Sequence, residues 1–73
     1  MFDRNRFRAQ MALRNVTHKR LAEVLRIDES TLYRKINNDG SFTRDEINKI
    51  IEFLKIEDPA SIFFATELAE TQD

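Results

Sequence analysis

A polar residue with an apolar neighbour just before it and a second apolar residue four positions on recurs at Asp3, Thr17, Asp28 and Thr43. Phe2 and Phe7 flank the first, Val16 and Leu21 the second, Ile27 and Leu32 the third, Phe42 and Ile47 the fourth. At a helix start, such a residue turns its side-chain oxygen onto a first-turn amide that has no partner inside the helix, while the apolar pair clasps the chain entry. Thr43 also has Glu46 three residues on, which completes a capping box. Asp58 marks a fifth start of another kind. Pro59 follows it, at a position where a missing N–H costs nothing, although Glu57 in front forgoes the apolar clasp.

These signals predict an all-α chain with helices at 4–14, 18–25, 29–37, 44–54 and 59–64. Apolar spacing agrees. Phe7 and Met11, Leu21 and Leu25, Leu32 and Ile36, then Ile47, Ile50, Ile51 and Leu54 keep the rhythm of one buried helical stripe and are the expected core. Asn38 to Ser41 carries turn chemistry, and the tail at 66–73 is expected to fray. A chain of 73 residues is expected to form one domain, since a division would leave each part below about 40 residues. Without Cys, the core has no disulfide to support it. The longest apolar run, Ile62 to Ala65, is far shorter than the roughly 20 residues that cross a bilayer. Arg4, Arg6, Arg8 and Arg14 interrupt the only stretch where a secretory signal would sit, so none is expected.

The formal net charge of −1 conceals two opposed halves. Residues 1–36 hold nine basic groups against four acidic ones, a balance of +5, while residues 37–73 hold three against nine, a balance of −6. The basic half suits a polyanion; the acidic half suits solvent or a basic protein. His18 is the sole His, and without Cys or converging carboxylates no metal site is expected. Asp45 and Glu46 are adjacent on a helix and point about 100° apart, which suits the first helical turn better than acid–base chemistry. No nucleophile–base pair or phosphate loop is visible, so catalysis, a cofactor and a small-molecule substrate are not expected.

Between Val16 and Asn37, two short helices are joined only by Arg26 to Asp28. So short a link makes the second helix cross the first steeply. Small Ala22 sits where they approach, and Leu21, Leu25, Ile27, Leu32 and Ile36 pack beneath. The unit resembles the helix-turn-helix of the Cro/repressor family of phage regulators, and the likeness continues through Phe42-Thr43 and from Asp58-Pro59 to Phe63-Phe64. It implies the five-helix, lambda repressor-like DNA-binding fold, in a bacterial cytoplasm. Chain length and ending also look like the modulator-of-repression antirepressors of temperate phages.

The resemblance implies that Thr17, His18 and Lys19 contact the DNA backbone. It places Glu29, Ser30, Thr31, Tyr33 and Arg34 against base edges or nearby phosphates, and Asn37 on a phosphate. Arg20 belongs to the same candidate set. Arg34 can fork to guanine, Ser30 can donate or accept, and Glu29 can accept from a cytosine amino group. The sequence departs from the family pattern where His18 and Glu29 replace Gln. Glu29 brings negative charge to the end that meets phosphate, yet a Glu there also suits the helix dipole. Arg26 stands where the family has Gly, so a left-handed backbone is expected there. Phe63 and Phe64 cannot both point inward: one belongs to the core, and the other is left partly exposed or anchors a partner or a second copy. Two targets stay open. An antirepressor would occupy a cognate repressor protein, and Glu29 with the acidic half inclines the sequence towards it. A Cro-like dimer would bind operator DNA directly.

Overall fold

The computed structural model describes residues 2–64, and the expected fraying of the tail lies outside them. Five helices follow in order: α1 (Arg4–Leu13), α2 (His18–Leu25), α3 (Glu29–Asn37), α4 (Arg44–Leu54) and α5 (Pro59–Phe63). No strand occurs among the described residues. Each helix begins where its cap predicts; α1 and α5 end one residue earlier than expected. Asp3 accepts from Arg6 N–H (3.0 Å) and Thr17 from Arg20 N–H (3.1 Å). Thr43 and Glu46 form the full reciprocal capping box, with bonds of 3.1 and 2.9 Å. Asp28 departs from expectation. Its side chain makes no cap bond although it occupies the N-cap.

The helix ends share a device that only Arg26 announced. Asn15, Arg26, Asp39 and Lys55 all take left-handed φ of 52–59°. After each, the next residue's N–H returns five positions to a carbonyl of the helix just ended: Val16 to Met11 (2.9 Å), Ile27 to Ala22 (3.0 Å), Gly40 to Lys35 (3.0 Å) and Ile56 to Ile51 (3.1 Å). This is the Schellman closure, usually built on Gly. Here three of the residues that follow are apolar and seat in or against the core. Left-handed backbone costs about 1–2 kcal/mol outside Gly. Arg26→Gly is therefore expected to stabilise the fold by up to about 1 kcal/mol, after allowing for the greater freedom of Gly in the unfolded chain. A raised urea midpoint would show this, and a lowered one would contradict it.

The core comprises Phe7, Met11, Leu21, Ala22, Leu25, Leu32, Ile36, Ile50, Leu54, Ile56, Ile62 and Phe63. Ile47 and Ile51, expected inside, are only half-buried. The apolar stripe of α4 is wider than the seam it buries, and its outer edge instead lines a groove with Pro59, Ala60 and Phe64. Four aromatic rings from distant parts of the chain, Phe2, Phe7, Phe42 and Phe63, meet with centroids 5.3–6.4 Å apart.

One ion pair ties the end of α3 to the start of α4: Lys35 Nζ lies 3.1 Å from Glu46 Oε1, and both side chains are largely covered. Burial pushes the Glu46 carboxyl up. The Thr43 N–H, the Lys35 hydrogen bond and the Lys35 charge more than offset that and hold it below its ordinary value of 4.5. A carboxyl depressed by folding contributes stability that is complete above its unfolded pKa and is lost as pH falls through the folded one. Glu46→Gln is accordingly expected to lower stability at neutral pH by about 1–2 kcal/mol and to flatten the decline below pH ~4.5. Urea titrations at several pH values test this. Parallel acid limbs for variant and wild type would show that Glu46 is not the group responsible.

Candidate nucleic-acid interface

α2 and α3 are joined by the three residues Arg26 to Asp28 alone. The left-handed Arg26 (φ 59°, ψ 43°) reverses the chain, and Ile27 N–H closes on Ala22 O at once. Leu21, Ala22 and Leu25 of α2 and Leu32 of α3 are buried in the common core, so the crossing of the two helices is set by packing against it.

On α3, the buried Leu32 and Ile36 define the inner face. Ser30, Arg34 and Asn37 follow the i, i+4, i+7 spacing on the opposite face, and all three are exposed. Glu29 and Tyr33 are exposed beside this row, whereas Thr31 is half-buried. Among the described residues, neither Arg34 nor Lys19 enters an ion pair. Both therefore keep free donors for a ligand.

His18 and Tyr33 bind the two helices of the unit together on the outside. Their rings stack with centroids 4.4 Å apart and planes 12° from parallel. His18 is half-buried, and its Nε2 is covered without a hydrogen-bond partner in the protein. Burial, followed by the nearby Arg8 charge, holds the imidazole below its ordinary 6.5, with Glu29 acting in the opposite sense. His18 thus favours its neutral form more than a free imidazole does, and its ring lies flat against that of Tyr33. Tyr33 keeps 41% of its surface exposed.

The remaining sequence-selected residues divide. Thr17 is exposed, with its hydroxyl spent on the Arg20 amide, and Lys19 is exposed beside it. Arg20 is exposed; it pairs with Glu23 at 3.4 Å and lies 5.8 Å from the centroid of the Phe53 ring on α4. Asn37, at the end of α3, accepts a 3.1 Å hydrogen bond from Arg4 Nη1. Sequence reasoning did not select Arg4; its spacing along α1 was the available signal. The assembled surface is a row of α3 side chains able to donate and accept, flanked by unpaired cations. That is the chemistry needed to meet base edges and phosphates in a groove.

Among the described residues, no helix is long and apolar enough to cross a membrane. A family model described as the Cro/C1-type HTH DNA-binding domain matches residues 6–63. No curated protein and no solved structure matches the chain.

Proposed function

The chain belongs to the Cro/C1-type helix-turn-helix DNA-binding family, a family of transcription regulators, and from that premise we propose that it binds operator DNA itself in a phage-type genetic switch, with α3 in the major groove. The observation that carries this reading is the exposed Ser30, Arg34 and Asn37 row, with Arg34 outside any ion pair among the described residues. Arg34 provides a planar fork matched to guanine O6 and N7, and Ser30 can donate or accept beside it. The His18–Tyr33 stack holds the reading helix in one orientation before DNA arrives, which lowers the ordering cost of binding. One small module binds weakly, so two copies on half-sites about 34 Å apart are expected. The groove of Ile47, Ile51, Pro59, Ala60 and Phe64 is an apolar surface available for pairing.

A second reading, the antirepressor that occupies a cognate repressor, is favoured by Glu29, exposed in the first turn of α3. Within the acidic half, Asp45 is paired with Lys49 at 3.2 Å and Glu46 is engaged by Lys35 and the capping box, while Asp39, Glu52, Glu57 and Asp58 are exposed and, among the described residues, outside any ion pair.

Mobility-shift measurements separate the two. A salt-sensitive shift of switch-region operator by this protein alone is expected. If the operator moves only with the cognate repressor, and this protein merely abolishes or alters that shift, direct binding is wrong and the antirepressor reading takes its place.

A further inference from the structure

Four arginines lie on or beside α1, and two of them are spent on the fold. Arg6 Nε sits 3.4 Å from Asp3 Oδ2, and Arg14 donates to Leu54 O (2.8 Å) and Lys55 O (3.2 Å) at the carboxyl end of α4. Arg4 and Arg8 differ. Four residues apart, they share one helix face, one turn from each other. That face turns to the helix-turn-helix unit at both ends: Arg4 donates to Asn37 at the end of α3, and Arg8 lies near enough to His18, at the start of α2, to oppose its protonation. Both arginines are exposed, and among the described residues neither enters an ion pair. One hydrogen bond leaves Arg4 with most of its five N–H donors. Arg6, about 160° round the helix from each, faces a different groove with Leu13, Arg14 and Lys55.

We propose that Arg4 and Arg8 bind DNA phosphates as a second row of backbone contacts, holding the duplex from α1 while α3 reads it. The inference rests on the direct-binding reading above. Asn37 fixes the Arg4 side chain, so part of the cost of ordering a long cation is met before DNA arrives. Phosphate contacts carry no sequence information but release counterions, so they set the salt dependence of binding.

The test is the binding of the full chain to a labelled, mixed-sequence DNA duplex of about 20 base pairs, measured across a potassium chloride series. Each contact contributes about 0.9 to the slope of log K against log salt. Arg4→Gln and Arg8→Gln are each expected to reduce that slope by about 0.9, and the double variant by about 1.8. Arg6→Gln, which removes the same charge from the other face, should keep the wild-type slope, as should Arg8→Lys. Arg8→Glu should weaken binding beyond Arg8→Gln, independently of the Arg4–Asn37 bond. Wild-type slopes in Arg4→Gln and Arg8→Gln would overturn the proposal while leaving direct binding intact. An equal loss in Arg6→Gln would overturn it too, by showing that only net charge matters. No binding by the wild-type chain would defeat the direct-binding reading, and this proposal with it.

Discussion

Gly40→Ala is expected to destabilise the domain by about 2–4 kcal/mol, the largest loss foreseen for any single methyl group added to this chain. Two costs combine. Gly40 has φ +67°, where an L side chain is strained by about 1 kcal/mol or more. A Cβ there would also lie 2.7 Å from Phe2 Cβ and closer still to the base of the ring, so Phe2 must give way. It cannot do so freely. Asp3 N–H is bonded to Ile62 O at 2.6 Å, and Asp3 itself caps α1, so the backbone beside Phe2 is held from two sides. Displacing the ring breaks its contacts with Phe7, Phe42 and Phe63, and aromatic pairs contribute about 0.5–1.5 kcal/mol each beyond their buried area. A double-mutant cycle isolates the second cost. In a Phe2→Gly background, which removes the Phe2 Cβ as well as the ring, Gly40→Ala should cost only about 1 kcal/mol, the backbone share. If urea unfolding finds the two substitutions additive, the ring is not what Gly40 accommodates.

Arg34→Ala is expected to weaken operator binding by about 1–3 kcal/mol, roughly 5- to 150-fold, without loss of stability. The side chain is exposed, makes no ion pair among the described residues, and lies on the face of α3 opposite Leu32 and Ile36. Truncation thus leaves no cavity. If Arg34 forks to a guanine, the loss is confined to sites carrying that base, and substituting the base should cost the wild type about as much as the variant loses. If Arg34 meets a phosphate instead, affinity falls evenly across sequences and the salt slope drops by about 0.9. Unchanged DNA affinity combined with weaker repressor binding would identify α3 as a protein-binding helix and favour the antirepressor.

Glu29 marks where these outcomes part. An exposed carboxylate in the first turn of α3 favours the helix dipole, and near DNA it would repel any phosphate it approached. A base contact to a cytosine amino group removes that conflict. So does a basic protein partner. The same residue therefore weighs little in the fold and heavily in the choice of target.

The helix starts and the helix-turn-helix link were legible because their signals are local. A cap oxygen and the amide it accepts lie three residues apart and need nothing from the rest of the chain, whereas the left-handed Arg26 was implied only by the resemblance to a family with Gly at that place. Asn15 and Lys55 escaped notice for the same reason in reverse. Their helix ends are secured by Val16 and Ile56 seating against the core, a long-range reward that allows a residue other than Gly in a strained conformation.

The sequence by itself determined five helices, their starting residues, the three-residue link and most of the buried stripe, because each follows from hydrogen bonding and side-chain periodicity within about one helical turn. Only the tertiary structure decided which faces meet. It gathered Phe2, Phe42 and Phe63 around Phe7, left Ile47 and Ile51 half-covered, and turned Arg20 onto Phe53. It also spent Glu46 on Lys35 and set Arg4 beside Asn37. Those contacts join residues far apart in the chain, and their geometry exists only once packing has fixed the angles between helices.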